Sequence, residues 1–181
     1  SSIQIIGTNG KGTVAAMLTN ILKDYGYKVG TFTSPHLVHI NERITINNHH
    51  ISDEKICHFL DNYYNKANSI EPSFFELMTV MAMWYFSIEK VDIAILETGL
   101  GGRLDSITAC ENSILVFTSI SMDHHHILGY SLKKIISEKA RAIINTSQKC
   151  ISFNQGKKIN EILKKHAQKY NINIDFIDIQ D

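Results

Sequence analysis

Between a short apolar run and an apolar-periodic segment the chain inserts three glycines, a lysine and a hydroxyl: Gly7-Thr8-Asn9-Gly10-Lys11-Gly12-Thr13. Ile3-Gln4-Ile5-Ile6 reads as a strand, and Val14, Ala15, Met17, Leu18, Ile21 and Leu22 follow at helical spacing until Gly26 stops them. The loop therefore joins a strand to a helix N-terminus. There the unpaired N–H groups and the positive end of the helix dipole favour an anion, and glycines let the backbone approach it closely. The pattern predicts a phosphate cradle with Lys11 as its point charge. It is not the strict phosphate-loop motif: Ile5 stands where that motif has its first glycine, and Thr13 comes one place late.

The rest of the chain alternates strand and helix patterns. Lys28 to Phe32 reads as a strand broken by Ser34-Pro35, and Asn41 to Ile46 with Ile51 as a hairpin around Asn47-Asn48, in which His49 and His50 are turn residues. Ser52 is placed to cap a helix with Asp53 and Glu54 in its first turn. Ser73-Phe74-Phe75-Glu76 has the spacing of a capping box opening a long apolar helix through Ser87. Val91 to Leu96 and Ser113 to Ile120 are buried-strand runs, Ser131 to Ile144 a helix, and a strand, helix and strand close the chain from Lys149 to Ile177. The expected class is α/β, a mostly parallel sheet with helices on both faces, and in such sheets ligands bind beyond the carboxyl ends of the strands. The phosphate loop, Ser34, Glu97 and His124 all fall there.

Glu97 ends an apolar strand, where an unpaired carboxylate is costly to bury. A hard cation such as Mg²⁺ beside bound phosphates would explain its position. The Gly99-Leu100-Gly101-Gly102 loop does not fit the dinucleotide pattern, which argues against a nicotinamide cofactor. In Asp123-His124-His125-His126, neighbouring side chains on an extended chain point to opposite faces, so His124 alone is taken as functional. Glu138 and Lys139 by themselves read as two solvated helix charges. Eighteen basic residues balance eighteen acidic ones, so neither a nucleic-acid nor a membrane partner is expected. Cys57, Cys110 and Cys150 have no metal or disulfide spacing, which fits a reducing, cytoplasmic setting. A monomer is expected. With Ser1 first and the loop following at once, the 181 residues read as one domain of a longer chain.

Several segments together carry a resemblance. Gly7 to Thr13, Ser34-Pro35-His36-Leu37, Asn41-Glu42-Arg43-Ile44, Phe74-Phe75-Glu76, Leu96 to Asp105, Asp123-His124 with Leu128-Gly129, and Glu138-Lys139-Ala140 occur in the order of the Mur ligase superfamily. Within it they resemble the folylpolyglutamate synthase and dihydrofolate synthase branch, from Gly7 to about Ala142.

The resemblance implies a phosphate-loop domain of Mur ligase type. It implies an ATP-dependent ligase that adds L-glutamate to dihydropteroate and to folates through an acyl phosphate. It places the ATP phosphates on Asn9, Gly10, Lys11 and Gly12. Ser34 and Glu97 would hold one Mg²⁺, and His124 and a carbamylated Lys139 (N6-carboxylysine) a second, with Lys11, Lys139 and His124 as the catalytic set. The pterin would lie by Ser73, Phe74, Phe75, Glu76 and Leu104, and glutamate would need the family's C-terminal domain, absent here. A monofunctional folylpolyglutamate synthase and a silent nucleotide-binding homologue are the alternatives. Two departures stand out: Arg141 where the family has glycine, and Asp105-Ser106-Ile107-Thr108 in place of Asp-Ala-Thr-Asn.

Overall fold

A computed structural model describes residues 1–122, 131–144 and 148–178. Strand β1 (Ser2–Ile6) leads through the phosphate loop into α1 (Lys11–Asp24) and β2 (Val29–Phe32). A 3-10 turn (Ile40–Arg43) enters β3 (Ile44–Ile46), which pairs with β4 (His49–His50) before α2 (Asp53–Asn68) and α3 (Phe74–Ile88). Then come β5 (Ile93–Glu97), a 3-10 turn (Thr108–Cys110), β6 (Ile114–Phe117), α4 (Leu132–Ala140), β7 (Lys149–Phe153), α5 (Lys157–Lys169) and β8 (Asn173–Ile177). Among the described residues no helix is long and apolar enough to cross a membrane.

The strands form one sheet in the order β4-β3-β2-β5-β1-β6-β7-β8, parallel except for β3 and β4. The chain moves from β1 outward to β2, returns to insert β5 between them, and only then reaches β6 on the far side of β1. That reversal lies beside the phosphate loop, where ligands of open α/β sheets bind. Period-two alternation sends Ile5, Val29 and Ile95 to one face, against Ala15 of α1. Phe32, Ala94 and Leu96 face the other way onto Met78, Met81 and Phe86 of α3, while Leu115, Phe117 and Cys150 meet Ile135, Ile136 and Leu163 of α4 and α5. Each large apolar side chain so buried stabilises the fold by about 1.5–3 kcal/mol.

Four expectations shift. His49 and His50 are not the turn: Asn47 (φ 50°) and Asn48 (φ 68°) make it alone, and the histidines form the exposed return strand. Residues 40–43 coil into the 3-10 turn, because the Glu42 carboxylate accepts N–H bonds from Leu37, Val38 and His39 and draws the chain round. The strand expected from Ser113 to Ile120 stops at Phe117; Thr118 then gives both its N–H and its hydroxyl to the Ile6 carbonyl. The helix expected to reach Ile144 ends at Ala140. Ser73 caps α3 as the spacing requires, its hydroxyl accepting from the Glu76 N–H and the Glu76 carboxylate from the Ser73 N–H.

Candidate active site

Gly10, at φ 82°, occupies the N-cap of α1, so the helix opens without a side-chain cap. The N–H groups of Lys11, Gly12 and Thr13 are its first-turn donors and have no intrahelical acceptor. Behind them the loop is tied down by strand β6's exit: Thr8 N–H donates to the Ser119 carbonyl at 2.6 Å, and the Thr8 hydroxyl bonds Ser121. Asn9 joins the same segment through a bridge to Ser119 and a long 3.5 Å bond from its amide to the Ser121 hydroxyl. Gly7 is needed for a different reason from the glycines ahead of it. A Cβ there would stand 1.9 Å from the Thr118 hydroxyl just past the end of β6, far inside van der Waals contact.

A cavity of about 430 Å³ opens in front of this helix end, lined by Gly10, Gly12, Thr13, Ser34, Pro35 and Glu97 among others. Glu97 is 4% exposed, and burial pushes its carboxyl above the ordinary range. The Ser34 N–H at 3.1 Å and the charges of Lys11 and Arg43 work against that shift without cancelling it. The Lys11 ammonium is 3.9 Å from Glu97 Oε1 and donates to its own loop at the Thr8 carbonyl. A row of helix N–H groups and a buried carboxylate thus share one cavity, with a cationic point beside the carboxylate. That donor set suits a polyphosphate with a hard divalent cation, which takes few protein oxygens and completes its shell from phosphate and water. Among the described residues no three His, Cys, Asp or Glu side chains cluster as a transition-metal site would need.

Lys139, expected from its neighbours to be solvated, is 1% exposed. Its amine donates to the Gly7 carbonyl at 3.0 Å and to the Leu100 carbonyl at 2.8 Å, joining the phosphate loop to the second glycine-rich loop. Helix α4 can come this close because residue 102 is glycine, at φ 111°, where a Cβ would meet the Glu138 carbonyl at 2.7 Å. His124, with Asp123, His125 and His126, lies outside the described residues.

A second cavity, about 610 Å³, is lined by Ser73, Phe75, Glu76, Gly99, Arg103 and Leu104 among others. It gathers four of the five residues expected to hold the pterin. Phe75 packs on Phe32 with ring centres 5.5 Å apart, and Leu104 is exposed at the rim. Phe74 departs from the group: half-exposed, it lies under the Arg43 guanidinium. The polar groups of Ser73 and Glu76 are engaged with each other in the helix cap, which leaves Phe75 and Leu104 to offer apolar contact.

Sequence reasoning gave no role to Asp105, Arg43 or Glu42. Asp105 folds the second glycine-rich loop around itself, accepting N–H bonds from Gly101 at 3.0 Å and Ile107 at 3.1 Å, although burial dominates and raises its pKa. An acid three residues after a glycine run was the available signal. Glu42 takes three backbone N–H groups, which hold its pKa down to about 2. Ser106 bonds Thr79 of α3 across their hydroxyls at 2.7 Å, and Thr108 donates to the Gly102 carbonyl while accepting from Gln4 of β1. The hydroxyls that the departing segment places at 106 and 108 thus brace the loop against α3 and the sheet.

The Mur ligase middle domain profile matches residues 5–181. The dihydrofolate synthase/folylpolyglutamate synthase of Bacillus subtilis is 42% identical over 149 residues, covering 78% of this chain and 35% of the relative. A folylpolyglutamate synthase structure from Thermotoga maritima superposes with a TM-score of 0.88 at 33% identity, covering 97% of this chain and 41% of that one. E. coli FolC in complex with DHPP and ADP gives 0.89 at 31% identity, over 97% and 42%. The chain therefore spans well under half the length of these relatives. It belongs to the Mur ligase family, as a middle domain of the dihydrofolate and folylpolyglutamate synthase branch.

Proposed function

We propose that this domain is the ATP-binding part of an ADP-forming ligase that adds L-glutamate to dihydropteroate and to folates. The observation that carries the reading is the 430 Å³ cavity in which the open α1 N-terminus and buried Glu97 face one another, with the Lys11 ammonium 3.9 Å from that carboxylate; the Phe75–Leu104 pocket is the second cavity of the site. Asn9, Gly10, Lys11 and Gly12 would cradle the phosphates. The substrate carboxylate attacks the γ-phosphorus, ADP leaves, and the glutamate amine then displaces phosphate from the acyl carbon and loses its proton. Lys11 is placed to neutralise charge on the transferring group, where a fixed cation acts without reorganisation. Two Mg²⁺ ions, one on Ser34 and Glu97 and one on His124 and carbamylated Lys139, would supply further neutralisation there.

Carbamylation has a local consequence. An ammonium serves both the Gly7 and Leu100 carbonyls, whereas a carbamate nitrogen keeps one N–H, so one of the two loops would be released. The Phe75–Leu104 pocket is assigned to the pterin, and the glutamate subsite to polypeptide outside these 181 residues. The deciding experiment assays the full-length protein with dihydropteroate and with tetrahydrofolate, each with ATP and glutamate. ADP release coupled to amide formation with both is the expected result. Turnover of tetrahydrofolate alone makes it monofunctional, and nucleotide binding without turnover of either refutes the reading.

A further inference from the structure

Gln4 is a polar residue inside an apolar strand. β1 runs between β5 and β6, with Gln4 opposite Leu96 on one side and Leu115 on the other, and Gln4 is 1% exposed. Central strands of this kind are ordinarily apolar throughout, and a buried amide is costly unless its groups are bonded. Both of its groups are: Nε2 donates to the Thr108 hydroxyl at 2.9 Å, and Oε1 accepts from Asn112 Nδ2 at 3.3 Å. Because the Thr108 oxygen accepts from Gln4, its own proton is directed onward to the Gly102 carbonyl at 2.9 Å. Thr108 and Asn112 are buried as well, and Asn112 Oδ1 is left a buried acceptor with no bond among the described residues. Apolar side chains at these positions would avoid that orphan, so stability alone does not explain the network.

The run of bonds ends behind the second cavity. From Gly99 to Asp105 every residue except Gly102 lines the 610 Å³ pocket. Gly102 sits between two of those lining residues, against the Glu138 backbone, and its carbonyl also takes the Asp105 N–H at a longer 3.3 Å. The same wall has two further ties. Lys139 joins the Leu100 carbonyl to the phosphate loop, and Asp105 gathers N–H groups of its own loop. Gln4 and Thr108 add a tie to the strand itself, which is hydrogen-bonded on both sides and ends in the phosphate loop. The pocket wall and the phosphate loop thereby share one foundation, whatever the state of the Lys139 amine. Resting on the ligase reading above, we propose that Gln4 and Thr108 are positioning residues for the acid substrate: they hold the Gly102 carbonyl, and with it the wall of the pocket assigned to the pterin.

The test uses the full-length protein as wild type, Gln4→Met, Thr108→Val, the double variant and Thr108→Ser. Calorimetry reads the binding of dihydropteroate and, separately, of ADP, and amide hydrogen exchange reads residues 99–105. Gln4→Met and Thr108→Val should each weaken dihydropteroate binding by about three- to tenfold, the scale of one neutral hydrogen bond, with faster exchange across 99–105 and ADP affinity within about twofold of wild type. The double variant should lose no more than the worse single one, because both residues act through one run of bonds. Thr108→Ser keeps the hydroxyl and should bind as wild type does. Thermal melts record the folding cost separately, and Gln4→Met, which preserves side-chain length, decides the matter if Thr108→Val does not fold. Faster exchange with unchanged dihydropteroate affinity overturns the proposal and leaves the bonds a structural brace. Equal weakening of dihydropteroate and ADP overturns it too, as does weaker dihydropteroate binding without faster exchange. These outcomes leave the ligase reading standing, whereas a wild type that does not bind dihydropteroate refutes that reading and this proposal together.

Discussion

The loops Gly7–Thr13 and Gly99–Asp105 lie at the same carboxyl edge of the sheet, both rich in glycine and both joined to the Lys139 amine. They differ in what their N–H groups hold. In the second loop Asp105 reaches back and fills the nest with its own carboxylate. Glu42 does the same for Leu37, Val38 and His39. The first loop contains no acid of its own; Glu97 comes from β5 to lie beside it, 3.9 Å from the Lys11 ammonium, with the Ser34 N–H as its backbone partner. A nest closed by an internal carboxylate is a structural corner, and one left open at a helix N-terminus is an anion site. Glycine content alone does not separate the two.

The comparison breaks first at Lys11. Lys11→Ala should lower ATP turnover by about 10²–10³-fold or more, the scale of removing one preorganised charge partner, while its melting temperature stays close to wild type. Retained turnover would deny the first loop its anion role. Glu97→Gln should cost activity on the same scale, with at most partial recovery at high Mg²⁺, yet leave the metal-free protein no less stable. The sign follows from burial. Because the folded pKa of Glu97 lies above its unfolded value of about 4.5, folding takes up a proton between the two. Metal-free wild type therefore loses stability as pH rises through that window, and Mg²⁺ affinity falls as pH drops through the raised pKa. A pH series of melts and Mg²⁺ titrations on both proteins reads each slope, and identical slopes would remove Glu97 from the metal site.

Asp105→Ala should have the opposite profile to Lys11→Ala. Emptying the second nest leaves buried donors unpaired, at a cost of about 1–3 kcal/mol in denaturant unfolding, with nucleotide affinity nearly unchanged. A loss of nucleotide affinity as large as that of Lys11→Ala would erase the distinction between the loops. Among the histidines, His124→Ala should reduce turnover severely and His125→Ala or His126→Ala only mildly, and equal damage from all three would reassign the residue. The smallest effect belongs to Glu42. With a folded pKa of about 2, it contributes stability that is fully present above the unfolded value and lost as pH falls through about 2. Glu42→Gln should flatten that acid arm of the melting curve and leave neutral-pH activity within a few-fold.

Much of the architecture was legible because it is set by neighbours along the chain. The glycine loop before an apolar-periodic helix, the Ser73–Glu76 capping box and the Asn47-Asn48 turn each depend on residues a few places apart, where propensity and local hydrogen bonds decide. The place of the glycine loop at a helix N-terminus and of Glu97 at a strand's end was legible for the same reason, since a strand's end is marked in its own sequence. What tertiary structure alone decided is the state of the charges. Lys139, Arg43 and Asp105 look like ordinary surface residues in their own segments, and they are buried by partners brought from distant parts of the chain: Gly7 beneath Lys139, Phe74 beneath Arg43, and the packed loop around Asp105. Desolvation depends on the whole environment of a group, so no local pattern encodes it. The place of β1 between β5 and β6 is of the same kind, because strand order is set by which faces can be buried together after the chain has folded back on itself.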